Sequence, residues 1–83
     1  MTRADVRQAI LDIIEELVPD EDLLNIDDNE KIRDQIELDS MDFLDIIMEL
    51  RKRYGINVPE DDYPHFITLE GCMNYLEPTL KDR

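Results

Sequence analysis

In Leu38-Asp39-Ser40-Met41 a serine stands where a polar connection turns into an amphipathic helix. Asp and Ser are both favoured at helix starts, because their side-chain oxygens bond the orphan N–H groups of the first turn. Taken alone, the pair says little. A hydroxyl at a helix N-terminus is, however, reachable by another enzyme. A phosphodiester formed there would lie beside free backbone N–H groups and the positive end of the helix dipole. Ser40 is therefore read as a point of attachment for a prosthetic group, not as a catalyst.

Most catalytic arrangements fail on inventory. Histidine occurs once, at His65, and cysteine once, at Cys72, so a zinc site or a Cys/His dyad lacks ligands. A Ser40, His65, Asp39 triad would need an oxyanion hole that nothing supplies. Gly55 and Gly71 are too few for a phosphate-cradling loop. Asp20, Asp22, Asp27, Asp28 and Asn29 offer alternating oxygens, but Leu24 and Lys31 stand where calcium ligands are needed and the central glycine of an EF-hand is absent. No specific metal site and no catalytic residue are expected, and Cys72 reads as a small core residue.

The 83 residues have room for one modest core and no large substrate cavity, so residues 1–83 read as a single domain. Nine Lys and Arg against 22 Asp and Glu give a formal charge of −13, which repels nucleic acid and anionic lipid and favours partners with basic surfaces. Apolar residues make up 42 % of the chain and fall in periodic blocks, so it should fold despite its charge. A lone cysteine, no apolar leader after Met1 and no long apolar run point to a cytoplasmic protein without a membrane span.

The elements that must position Ser40 follow from spacing. Val6, Ala9, Ile10, Ile13, Ile14 and Leu17 recur at helical intervals, with Thr2 as N-cap and Pro19 just past the end. Residues 19 to 39 form a long first loop: eight residues from Glu15 to Glu30 are acidic and none is basic. Ile26, Ile32, Ile36 and Leu38 are its expected pins, and a short helical turn within it is allowed. A second helix runs from about Ser40 to Tyr54 and ends at Gly55. A short third helical turn is expected near Pro64. The last helix has Thr68 as N-cap, Leu69, Cys72, Met73 and Leu76 as its stripe, and Pro78 as its stop. Nothing alternates like a strand. The predicted fold is an all-α small four-helix bundle with three main helices and one short one.

At about 100° per residue, Phe43, Ile46, Ile47, Leu50 and Tyr54 form the core-facing arc of the second helix. Met41, Leu44 and Met48 lie outside it, edged by Asp45, Arg51 and Lys52. Neighbouring segments would cover this second stripe if it were structural. Beside Ser40, adaptable methionines and a leucine read instead as a docking surface.

Over nearly its whole length the chain resembles the acyl carrier protein family, the phosphopantetheine-binding carriers. The resemblance rests on Leu38-Asp39-Ser40-Met41-Asp42, the helix through Leu50, Tyr54-Gly55-Ile56-Asn57-Val58-Pro59, and the Thr68 to Leu76 helix. It implies that Ser40, flanked by Asp39, carries 4′-phosphopantetheine, transferred from coenzyme A by a separate phosphopantetheinyl transferase in a magnesium-dependent reaction. It also implies that the arm's thiol holds a cargo as a thioester and delivers it to enzymes that load and process acyl or aminoacyl groups, in fatty-acid-like or specialised biosynthesis. The carrier itself is then no enzyme, and a monomer is expected.

Two departures from the family pattern point to a specialised member. Met41 stands where leucine is common, and Arg51, Lys52 and Arg53 occupy a helix end that is usually acidic in fatty-acid carriers. Their structural role would be to complement the helix C-terminus and Glu49; functionally they change the sign of one edge of the docking surface. If Phe43, Tyr54, Phe66 and Tyr75 fill the interior with rings, a short acyl or aminoacyl cargo is expected. The competing expectation is an acidic helical interaction module that bears no prosthetic group.

Overall fold

The computed structural model describes residues 1–81. Helix α1 spans Arg3–Leu17, α2 Ile32–Gln35, α3 Ser40–Tyr54 and α4 Leu69–Leu80; a 3-10 helix over Glu60–Phe66 precedes α4. The architecture is all-α, as the spacing predicts. Among the described residues the only ladder pairing is an isolated antiparallel bridge between Lys31 and Thr68.

α1 begins where a capping box fixes it. Thr2 Oγ1 accepts from the Asp5 N–H at 3.2 Å and the Asp5 carboxylate accepts from the Thr2 N–H at 3.0 Å, which holds that carboxyl below its usual range. Val6, Ala9, Ile10, Leu11, Ile13 and Ile14 are buried, chiefly against α4 and also against α3. Leu17, expected in this stripe, is half-buried. Each fully buried Ile or Leu side chain contributes about 1.5–3 kcal/mol relative to exposure.

The long loop is pinned as expected, with Ile26, Ile32, Ile36 and Leu38 all buried. The one-turn α2 sits inside it. Gln35 holds the loop from within: its carbonyl oxygen accepts from the Asp27 N–H at 2.6 Å, and its amide donates to Asp27 O at 2.8 Å. Arg7 of α1 pairs with Asp28 at 2.8 Å. The Glu70 N–H, in the first turn of α4, donates to Asp28 O at 2.9 Å.

Three expectations require correction. The short helix starts at Glu60, not near Pro64. Glu60, Asp61 and Asp62 suit its N-terminus, and Pro64 lies inside it, where it supplies no N–H to the i→i+3 series. Pro78 does not stop α4, which continues to Leu80. Leu80 is fully buried, and the Met1 ammonium donates to its carbonyl at 2.9 Å, so burial and a cap hold the last residues helical. Finally, rings do not fill the interior: only Phe66 is buried, while Phe43, Tyr54 and Tyr75 are half-buried at its edge. The centre is aliphatic, built on Ile10, Ile13, Ile14, Leu50, Leu69 and Leu76.

Candidate attachment site and docking face

Asp39, not Ser40, is the N-cap of α3. The Asp39 carboxylate accepts from the Asp42 N–H at 2.8 Å, and the Asp42 carboxylate accepts from the Asp39 N–H at 3.3 Å. This reciprocal box takes up the capping role and leaves Ser40 as the first helical residue. Ser40 is exposed, and its hydroxyl makes no hydrogen bond among the described residues. Its N–H and that of Met41 belong to the first turn, where a helix has no internal acceptors, so the positive end of the dipole lies at the hydroxyl. The arrangement suits a covalently attached phosphate: an exposed side-chain oxygen with orphan donors beside it. Ser40 is also the sole serine of the chain, a signal that composition alone could have raised.

The segment leading into Ser40 is fixed from two sides. Arg33 Nε donates to Leu38 O at 3.0 Å, and the Glu37 N–H donates to the Glu21 carboxylate at 3.1 Å. Leu38 itself is buried. It lines an apolar cavity of about 220 Å³ with Phe43, Ile46, Tyr63, Phe66 and Ile67, and Arg33 stands at its edge. The Phe43 ring meets Tyr63 edge-on, with centroids 5.7 Å apart, and so forms a cavity wall instead of core filling. Sequence reasoning missed both this cavity and Arg33. A lone arginine in a one-turn helix has no periodic partner to mark it.

The outward face of α3 carries the residues expected to dock partners. Met41 is 75 % exposed, Met48 66 % and Leu44 44 %. Among the described residues no neighbouring segment covers them. Asp45, Arg51 and Lys52 are exposed along the same face, so the structure brings all six together. Arg53 turns away: it pairs with Glu49 at 3.0 Å and with Glu16 of α1. Gly55, with φ of 67°, closes the helix in the left-handed conformation, and its N–H reaches the carbonyls of Leu50 and Arg51.

The remaining chemistry-bearing residues are placed elsewhere. No hydrogen bond joins His65 to Ser40 among the described residues; the imidazole lies against the Tyr75 ring with centroids 5.3 Å apart. Cys72 is buried, and burial pushes its thiol up to about 12. The loop carboxylates serve the backbone and Arg7: Asp22 accepts from the Leu24 N–H at 2.9 Å and Asp27 from the Asn29 N–H at 2.8 Å. Among the described residues no three His, Cys, Asp or Glu converge to hold a metal ion. None of the described helices is long and apolar enough to cross a membrane.

Comparison with known proteins agrees with this geometry. The profile of a family described as "Phosphopantetheine attachment site" matches residues 5–76. An acyl carrier protein of Brachyspira hyodysenteriae is 35 % identical over 79 residues, spanning 88 % of this chain and 99 % of the relative. One of Rubrobacter xylanophilus is 31 % identical over 75 residues, spanning 84 % and 90 %. Another, of Amoebophilus asiaticus, is 28 % identical over 83 residues, spanning 96 % and 99 %.

Proposed function

The chain belongs to the phosphopantetheine-binding acyl carrier protein family, a family of carriers and not of enzymes, and from that premise we propose that Ser40 bears the 4′-phosphopantetheine arm. One observation supports the choice above the others: the reciprocal cap between Asp39 and Asp42 relieves Ser40 of capping and leaves its hydroxyl exposed at the dipole's positive end. When bound, the arm supplies a thiol that holds an acyl or aminoacyl cargo as a thioester. The protein's own part is positional. Ser40 presents the hydroxyl to a phosphopantetheinyl transferase, and the Ser40 and Met41 N–H groups stabilise the phosphodiester. Arg33 and Leu38 fix the chain that enters α3. Met41, Leu44 and Met48, with Asp45, Arg51 and Lys52, form the surface that the transferase and the loading and processing enzymes grip.

The cavity beside α3 supports an apolar cargo over a polar one, since its wall is built from Leu38, Phe43, Ile46, Phe66 and Ile67. At about 220 Å³ it lies below the usual range for drug-sized ligands, roughly 300–1,000 Å³, which favours a short acyl group. This replaces the ring-filled interior as the ground for a short cargo. Residues 1–83 act as one carrier domain, monomeric and cytoplasmic, in fatty-acid-like or specialised biosynthesis.

Intact mass tests the attachment. The wild type incubated with coenzyme A, magnesium and a broad-specificity transferase is expected to gain about 340 Da, and Ser40→Ala nothing. A folded wild type that gains no mass beside a working control carrier would favour an acidic interaction module instead.

A further inference from the structure

Among the described residues no acidic side chain pairs with Arg51 or Lys52. Among 22 acidic and 9 basic residues, Arg3, Arg7 and Arg53 sit in ion pairs. Arg51 and Lys52 are exposed, and no ion pair joins either to a described residue. Nor does the end of α3 depend on them. The Gly55 N–H reaches the Leu50 and Arg51 carbonyls, the Ile56 N–H reaches Leu50 O at 3.4 Å, and Arg53 supplies a cation to the last turn.

At 100° per residue, Arg51 and Lys52 flank the arc of Leu44, Met48 and Met41, and Asp45 falls on the same side nearer to Ser40. The face is therefore ordered along its length. The carboxylates of Asp39 and Asp45 lie in its first half, Met41, Leu44 and Met48 run down its centre, and two cations stand at its end. With a rise of 1.5 Å per residue, those cations lie about 17 Å along the axis from Ser40.

We propose that the enzyme that loads or processes the cargo meets α3 with a surface of the opposite order. It has cations beside the entrance that receives the arm, an apolar strip, and carboxylates about 17 Å further on. This rests on Ser40 bearing the arm and adds the chemistry of the partner. Exclusion follows as well as recognition, because an enzyme that is basic along its whole docking surface is repelled by Arg51 and Lys52.

The probe is an acyl-carrier ligase with arginines along its carrier-binding surface, used beside a variant with two glutamates opposite the far end of the docked helix. Wild type, Arg51→Glu/Lys52→Glu and the matched charge change Lys31→Glu/Lys81→Glu are first converted to the armed form, checked by intact mass and by circular dichroism. The all-basic ligase is expected to acylate Arg51→Glu/Lys52→Glu with kcat/KM about fivefold or more above wild type, and the glutamate ligase to reverse that preference. Both differences should shrink at about 0.5 M salt, and the matched variant should behave as wild type. Equal rates within about twofold for both ligases, or an equal response from the matched variant, would overturn the proposal while the arm stands. A wild type that takes no arm at all would overturn the attachment reading, and this one with it.

Discussion

The α1–α4 side of the molecule is tied together, whereas the outward face of α3 is left open. Arg3 reaches Glu70 at 2.7 Å, Glu77 at 2.9 Å and Asn74 at 3.0 Å, and the Met1 ammonium caps Leu80. Apolar residues there are turned inward: Val6, Leu69, Leu76 and Leu80 have no measurable exposure. On the outward face of α3 the opposite holds, with two methionines largely exposed and, beside them, two cations that pair with none of the described residues. Burial contributes stability and exposure costs it, so the open face is the part of the chain that folding alone does not account for. The contrast separates a packed side from the open side proposed for docking, and it can be broken at several points.

The largest expected effect is the loss of all arm transfer in Ser40→Ala, with a stability change within about 0.5 kcal/mol because the side chain is exposed and makes no hydrogen bond among the described residues. A melting temperature well below that of wild type would show that Ser40 belongs to the scaffold. Next, Leu76→Ala should cost about 2–5 kcal/mol in urea unfolding, and Met48→Ala less than about 0.5. Similar losses from both would erase the distinction between the two sides.

Cys72 sharpens the comparison through pH. Its thiol is held up to about 12 in the folded chain against an ordinary value of 9.0, so the unfolded thiol ionises first. Stability should therefore fall as pH rises from about 9 towards about 12, and the native thiol should resist iodoacetamide at about pH 8 until urea exposes it. Rapid alkylation of the folded protein would mean that the α4 side is open too. The smallest effect belongs to Arg3→Ala. Its ion pairs are more than a third exposed, so the loss should be small and shrink with added salt.

How much of this was legible in the sequence depended on length and on position within an element. α1 and α3 offer four turns each, enough for the arc of Val6, Ile10, Ile13 and Ile14, or of Ile46, Ile47 and Leu50, to stand out. α2 is four residues long and has no period to read. The 3-10 helix buries only Phe66, so its start at Glu60 left no stripe. Phe43 and Tyr54 share the correct arc of α3, yet they lie on its end turns, past the packed middle, and are only half-buried. Pro78 signals a stop that the burial of Leu80 overrides. The exposed face of α3 was legible for the opposite reason: Met41, Leu44 and Met48 fall outside the core arc and are exposed. The cavity was not, because its walls come from the loop, α3 and the 3-10 helix, which are distant in sequence.

The central claim is that the exposed serine at the start of α3 holds the arm, and peptide-level mass spectrometry of the protein after reaction with coenzyme A and transferase tests it most directly. The expected result is a phosphopantetheine adduct confined to the peptide that contains Ser40. An adduct on Thr2, Thr68 or any other residue, or none on a folded chain, would contradict it.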